Sequence, residues 1–217
     1  MIYLIQIVIN SIFTEDIMNR KIGMIGSVIN AITVAAFAIC MMIRFNYGSY
    51  LVCIFLSLSF ICMIAALAEE CTEDNRVAGK VAMILAGVYA TFIMAVYFTQ
   101  CTTVHNEILT GDAERILNYS YLGLFFNFDM LGYGIMALST FFIGLTINVK
   151  NKKDKALKIL LLVHGIFFLS CTFMPMTGMF VNHRGSSSMG GAIALEIWCL
   201  YFLPISILSW MHFKESE

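Results

Sequence analysis

Three ionisable side chains interrupt the long apolar segments of this chain: Asp129, His164 and Glu196. Carboxyl and imidazole groups can hold a proton or a polar ligand, and they can act as general acids and bases. On insertion scales an ionisable side chain at the centre of a bilayer costs about 2.5–3.5 kcal/mol, so such residues face a bundle interior or a wet cavity. We therefore expect the three residues, together with Tyr133, to line one polar cavity that binds a small ligand or protons.

Helical spacing places each of these residues on a stripe, because residues three, four and seven positions apart share one face of a helix. The stripe of Asp129 contains Gly132, Tyr133, Met136 and Thr140; that of His164 contains Phe167, Phe168, Cys171 and Pro175; that of Glu196 contains Ala192, Cys199, Leu200 and Leu203. We expect these stripes to face the interior. Pro175 and Pro204 predict bends that widen the space beside them.

The first expected function is the binding or movement of a small hydrophobic or amphipathic ligand or of protons. Two other classes of function stay open. An intramembrane lipid-modifying enzyme would use the same carboxylates and His164 as general acid and base. The sequence lacks the nucleophile, metal-binding and dinucleotide motifs that would favour such an enzyme. A non-catalytic structural or partner subunit would need the three residues only to bond to one another or to backbone carbonyls.

The elements that must position these residues are transmembrane helices. Of the 217 residues 60% are hydrophobic and 12% are charged, with a mean hydropathy of +0.85, whereas soluble domains contain about 25% charged residues. A helix needs about 20 mostly apolar residues to span the hydrocarbon layer. The fold class is therefore predicted to be all-α, a polytopic membrane bundle of about six helices near 24–43, 50–68, 81–99, 120–147, 157–180 and 190–210.

Basic residues predict the orientation, because lysine and arginine are retained on the cytoplasmic side of a membrane. With a cytoplasmic amino terminus, ten basic residues fall inside: Arg20, Lys21, Arg76, Lys80, Lys150, Lys152, Lys153, Lys155, Lys158 and Lys214. Three fall outside: Arg44, Arg115 and Arg184. We therefore expect a multi-pass protein of the plasma membrane with both termini in the cytoplasm. A net charge of −1 gives no basic field for nucleic acid.

The domain organisation is predicted to be one transmembrane domain, 24–212, between an amino-terminal segment, 1–23, and a short cytoplasmic tail, 213–217. Residues 1–13 are apolar but too short to span the bilayer, and Ile2, Ile5, Ile9 and Ile12 share one helical stripe. An interfacial helix is one interpretation. The other is that translation starts at Met18, just before Arg20 and Lys21.

The seven cysteines form no metal-finger spacing and no disulfide framework. Cysteines within apolar runs behave as small hydrophobic residues. Cys101 and His105 are four residues apart in the longest outer loop, with Glu107 nearby, but this spacing is too loose to predict a metal site. We expect no cofactor and no metal; the predicted partners are the lipid bilayer and a small hydrophobic ligand.

Residues 118–180 contain three stretches that suggest a family: Asn127-Phe128-Asp129-Met130-Leu131-Gly132-Tyr133-Gly134, Ser139-Thr140-Phe141-Phe142-Ile143-Gly144-Leu145 and His164-Gly165-Ile166-Phe167-Phe168. The chain resembles a domain-of-unknown-function family of small six-helix bacterial membrane proteins. This resemblance implies a six-helix bundle in a bacterial inner membrane, and it assigns no catalytic residue.

Overall fold

The computed structural model describes the backbone of residues 2–178, 180 and 189–215, and the side chains of 17–178, 180 and 193–215. Over these residues the secondary structure is helical, without a strand. The elements are α1 (Ile2–Met42), α2 (Asn46–Glu69), α3 (Arg76–Cys101), α4 (Thr103–Asn106), α5 (Gly111–Leu117), a 3-10 turn (Tyr119–Tyr121), α6 (Leu124–Thr146), α7 (Lys152–His164), α8 (Phe167–Met176) and α9 (Met189–Glu215).

The prediction of an all-α bundle with six spans is confirmed. Among the described residues, six helical segments are long and apolar enough to cross a membrane: Ile17–Met42, Asn46–Glu69, Arg76–Asn106, Leu124–Thr146, Lys152–Met176 and Ile193–Glu215. Helices are favoured in lipid because they satisfy every backbone hydrogen bond within one segment. Most of the observed helices extend past the predicted spans, since polar residues continue a helix beyond the hydrocarbon layer.

The six spans form a closed ring in chain order. α1 packs against α2, α2 against α3 and α3 against α6, while α6 packs against both α7 and α8. α9 packs against α7 and against α1, which closes the ring. The interior is aromatic: the Phe60 ring contacts those of Tyr89 and Phe202 at centroid distances of 5.2 and 6.2 Å.

Glycines allow two of these helix pairs to approach closely. A Cβ atom added at Gly26 of α1 would lie 2.9 Å from the backbone nitrogen of Met63 on α2. One added at Gly144 of α6 would lie 3.1 Å from the backbone nitrogen of Leu162 on α7. Small residues at such contacts let membrane helices gain dispersion energy that larger side chains would prevent.

A buried polar network ties α1, α2 and α9 together. The Asn30 amide donates to the Leu56 carbonyl at 3.3 Å and to the Ser59 hydroxyl at 3.0 Å, and its oxygen accepts from the Ser206 hydroxyl at 2.8 Å. Asn30, Ser59 and Ser206 are all buried. The network therefore joins the first and last spans through a side chain whose hydrogen-bonding groups have partners.

The fifth span is interrupted in the middle, where the sequence predicted one continuous helix. α7 ends at His164 and α8 begins at Phe167, with a turn at Gly165 and Ile166. The two turn amides donate to carbonyls three residues earlier, at 3.2 and 3.0 Å, so the helix tightens locally. A Cβ atom on Gly165 would lie 2.8 Å from that of Phe141, so glycine permits close contact with α6 here.

The amino-terminal segment is part of α1, which runs without a break from Ile2 to Met42. The predicted boundary at residue 23 therefore falls inside a helix. The side chains of 1–16 lie outside the described residues, so the predicted interfacial stripe of Ile2, Ile5, Ile9 and Ile12 does too.

Candidate functional site

Asp129 lies close to one end of the bundle. We call this end the loop end, because residues 102–123 cross it, and the opposite end, which carries 70–76 and 147–153, the basic end. Asp129 is the sixth residue of α6 and its side chain is 3% exposed. The Tyr119 hydroxyl donates to its Oδ2 at 3.2 Å, whereas its Oδ1 is buried without a hydrogen-bond partner in the described part of the chain.

No basic side chain pairs with Asp129 among the residues that the structure describes. Arg115, at the same end of the bundle, pairs instead with Asp112 at 3.4 Å, and both are exposed. A buried carboxylate without a cationic partner is expensive, since its charge has lost water and gained little in return. This site therefore favours the arrival of a proton or a cation.

Three tyrosine rings stand together beside this carboxylate. The centroids of Tyr50 and Tyr97 are 5.6 Å apart, those of Tyr50 and Tyr119 are 5.9 Å apart, and those of Tyr97 and Tyr119 are 6.2 Å apart. We call these residues the tyrosine cluster. Tyr50 comes from α2, Tyr97 from α3 and Tyr119 from the 3-10 turn, and the Tyr97 hydroxyl lies beside the Asp129 carboxylate. Three separate elements thus enclose one acidic group.

The polar interior continues one helical turn away from Asp129, at Tyr133. Its hydroxyl and the Cys53 thiol are 3.6 Å apart and form a hydrogen bond. The Tyr133 ring contacts Tyr89 at 5.7 Å and Trp198 at 5.3 Å between centroids. The Tyr89 hydroxyl is buried and has no partner among the described atoms. Polar groups with unused hydrogen-bonding capacity therefore extend from Asp129 into the interior of the helix bundle.

Residues 111–121, between α3 and α6, contribute Tyr119 to the tyrosine cluster and cover Tyr50 and Tyr97. We call this segment the lid. Gln100, which is 2% exposed, holds it from below: its amide donates to the Leu117 carbonyl at 2.7 Å, and its oxygen accepts from the Tyr119 backbone N–H at 3.0 Å. Burial raises the pKa of the Tyr119 phenol well above its usual value, and the nearby Asp129 charge raises it further. Tyr119 therefore stays protonated and donates to Asp129.

A tight contact fixes the end of the lid. A Cβ atom on Gly123 would lie 2.2 Å from the Arg115 carbonyl oxygen, so only glycine allows the lid helix α5 to approach the start of α6 so closely. Leu122, just before it, adopts a left-handed conformation with φ of 53°. Such conformations persist where surrounding contacts over-determine them. The lid is thus held by Gln100 at Leu117 and Tyr119 and by this contact at Arg115.

His164 is buried, and both of its ring nitrogens have partners. Trp198 donates its indole N–H to Nε2 at 3.1 Å, so Nε2 carries no proton. The Thr140 hydroxyl donates to the Ala137 carbonyl at 2.8 Å and lies 2.7 Å from Nδ1, so it accepts from the Nδ1–H. His164 is thus a neutral imidazole with satisfied hydrogen bonds that joins α6, α7 and α9.

The predicted site residues lie at different levels of the bundle. Thr140, which contacts His164, is eleven residues beyond Asp129 on α6, a rise of about 16 Å at 1.5 Å per residue. Glu196 is partly buried, and one of its oxygens has no partner among the described atoms. Trp198, which faces the interior, is two residues further along α9 and therefore about 200° from Glu196 around the helix axis. That Asp129, Tyr133, His164 and Glu196 line one cavity stays a prediction; such a cavity would have to extend along the helices.

A second polar cluster lies at the basic end and was not predicted from the sequence; its His212 and Asp154 side chains are buried, whereas Glu70 is partly exposed. His212 Nδ1 is 2.7 Å from a carboxylate oxygen of Asp154, and its Nε2 is 2.7 Å from one of Glu70. The Lys150 backbone N–H donates to the other Asp154 oxygen at 3.0 Å, and Lys153 forms an ion pair with Glu215. The ends of α2, α7 and α9 are thus clamped together.

A signal for the tyrosine cluster was nevertheless present in the sequence. Tyr89, Tyr97 and Gln100 share one stripe of α3, at spacings of eight and eleven residues, and all three are buried. Polar aromatic residues on one face of a membrane helix point to an interior that is not purely apolar. The lid residue Tyr119 carried no such signal, because it lies outside the spans.

Comparisons with protein-family models, with curated proteins and with solved structures gave no significant match. The resemblance to a family of six-helix bacterial membrane proteins stays a prediction from residues 118–180.

Proposed function

We propose that this multi-pass protein binds a small amphipathic ligand or protons in the polar interior around Asp129 and moves them across the membrane. One observation carries the proposal: the carboxylate of Asp129 is buried, one of its oxygens has no partner among the described atoms, and no described basic residue neutralises it. A charge in that state favours uptake of a proton or of a positively charged group.

The proposed orientation places the basic end and both termini in the cytoplasm, in a plasma membrane. It rests on the excess of lysine and arginine at that end. The lid and Asp129 then lie near the outer surface, so a substrate reaches Asp129 from outside. A cysteine reporter at Glu107 should react with an impermeant maleimide on intact cells, and one at Lys153 should not; the reverse labelling pattern would overturn the orientation.

In this proposal the described arrangement is the closed form of the site. Tyr119 covers the carboxylate, and Gln100 fixes the backbone of the lid. Opening needs only a movement of the lid, which contains one short helix and no span. Exchange with the other side of the membrane would require the clamp of Glu70, His212 and Asp154 to loosen, because it closes the basic end.

The test compares wild type with Asp129→Asn and with the matched control Asp74→Asn, in which an exposed acid outside the lid is changed. Small molecules that copurify with each protein would be identified by mass spectrometry, and proton entry into proteoliposomes would be followed with a trapped pH dye. The proposal predicts that a bound molecule or proton flux is present in wild type and control and is lost in Asp129→Asn. Equal behaviour of all three proteins would refute it.

A structural or partner subunit is the second candidate, and His164 favours it. Both ring nitrogens of His164 are engaged, by Thr140 and Trp198, as in a residue that locks helices together. The same observation argues against His164 as the general acid or base of a lipid-modifying enzyme, since no ring nitrogen is free. If Asp129→Asn changes thermal stability but neither bound molecules nor flux, the structural function is favoured.

A further inference from the structure

We infer that the Asp129 site takes a protonated organic amine that keeps at least one N–H bond, and that Tyr119 occupies the place of this amine in the closed form. The inference rests on the proposed function and narrows its ligand class. Three features of the site support it: the charge, the free acceptor atom and the aromatic faces.

The charge calls for a cation. Asp129 is 3% exposed, and the described ion pairs of the chain all lie elsewhere, with Arg115 already paired to Asp112. One carboxylate and neutral phenols make a poor site for Ca²⁺ or Mg²⁺, which take at least six oxygen ligands, several of them charged. A single positive charge of low hydration demand fits better.

The free acceptor calls for a hydrogen-bond donor. Oδ2 of Asp129 accepts from Tyr119 and the Tyr97 hydroxyl lies beside the same carboxylate, but the buried Oδ1 forms no hydrogen bond with a described atom. A buried acceptor without a donor costs about 1–3 kcal/mol, and more if it is charged. An ammonium N–H satisfies it, whereas a quaternary ammonium carries no N–H and leaves it unpaired.

The aromatic faces suit the organic part of such a ligand. A cation within about 6 Å of a ring centroid is attracted to the ring face, most strongly where water is excluded. The rings of the tyrosine cluster contact one another at 5.6 to 6.2 Å, which leaves no room for an amine between them in this form. Tyr119 belongs to the lid, whereas Tyr50 and Tyr97 belong to spans. The amine therefore enters as Tyr119 withdraws.

Tyr119 is accordingly a plug that imitates the ligand. Its hydroxyl donates to the carboxylate as an ammonium would, and its ring packs against Phe126 at 5.3 Å, where the apolar part of an amphipathic amine would lie. Removing the plug should make binding tighter. Ordinary loss of a packing residue would make it weaker.

The experiment measures binding of 2-phenylethylamine to the full-length protein in lipid nanodiscs by calorimetry. The matched probes are its N,N,N-trimethyl analogue, which keeps the charge without an N–H, and 2-phenylethanol, which lacks the charge. We expect the amine to bind at least tenfold more tightly than either probe. Asp129→Asn should weaken amine binding at least tenfold and Asp74→Asn, at the opposite end of the bundle, should not change it, while Tyr119→Ala should tighten it severalfold.

Equal binding of the three probes, or tighter binding of the trimethyl compound, would overturn the inference. So would unchanged amine binding by Asp129→Asn, with its thermal unfolding measured in parallel to show that the variant is folded. If no amine binds while proton flux still depends on Asp129, the amine inference fails and the proposed function stands. If flux and bound molecules are also independent of Asp129, both fail.

Discussion

Replacing Gln100 by leucine should release the lid without disturbing the spans. Leucine fills a volume close to that of glutamine but cannot form the two hydrogen bonds, at 2.7 and 3.0 Å, that hold the lid backbone at Leu117 and Tyr119. Each such bond contributes about 1 kcal/mol net. Their loss should therefore favour lid opening by about 2 kcal/mol, or roughly 30-fold, since 1.4 kcal/mol is a factor of ten.

Amide hydrogen exchange detected by mass spectrometry can measure this change, because exchange reports the free energy of local opening. Peptides covering 111–121 should exchange roughly 30-fold faster in Gln100→Leu than in wild type, whereas peptides from α6 should not change. Thr99→Ala is the matched control: it removes an exposed neighbour whose hydroxyl bonds only to the Ala95 carbonyl of its own helix. If the lid exchanges no faster in Gln100→Leu than in this control, Gln100 does not hold it closed.

Two further changes test what holds the bundle together. His212→Asn should lower the free energy of unfolding by about 3–5 kcal/mol, the effect of breaking a buried ion pair. The control Lys214→Met changes a neighbouring exposed residue and should lower it by less than about 1 kcal/mol. Similar losses in the two variants would show that the clamp is not stabilising. Asn30→Ala removes three hydrogen bonds, each worth about 0.6 kcal/mol in membrane proteins, for a total of about 2 kcal/mol, and Ser206→Ala should cause about a third of that loss. The free energies of unfolding of these variants are measured by denaturant titration in bicelles. Equal losses of this free energy in Asn30→Ala and Ser206→Ala would contradict the network.

The spans could be predicted because their signal is local. An apolar run of about 20 residues needs no partner to be recognised. Of the stripe predicted around Asp129, that residue, Gly132, Met136 and Thr140 are buried and Tyr133 is partly buried. The stripe of Glu196 was less informative: Cys199 is buried but Leu200 is 73% exposed. Lipid solvates leucine as well as a protein interior does, so an apolar stripe on α9 does not identify its inner face.

The partners of the polar residues could not be predicted, because they are distant in the chain. His212 bonds to Asp154 and Glu70, which are 58 and 142 residues away. Such pairings depend on the order of helices around the ring. The break at Gly165 was not predicted either; the close neighbour there, Phe141, belongs to another helix and is 24 residues away in the chain.

The closed ring of helices can be completed only after the last span has been synthesised. Asn30 can bond to Leu56 and Ser59 as soon as the second span follows the first, but Ser206 is made 176 residues after Asn30. At 5–20 residues per second, this is a delay of about 9–35 s on the ribosome. Throughout this interval the side-chain carbonyl oxygen of Asn30, and the face of the first span that later packs against α9, face lipid or the insertion machinery. A stalled or truncated nascent chain would therefore leave an unpaired side-chain carbonyl oxygen within the bilayer, a feature by which membrane quality-control proteases would distinguish it from the complete bundle.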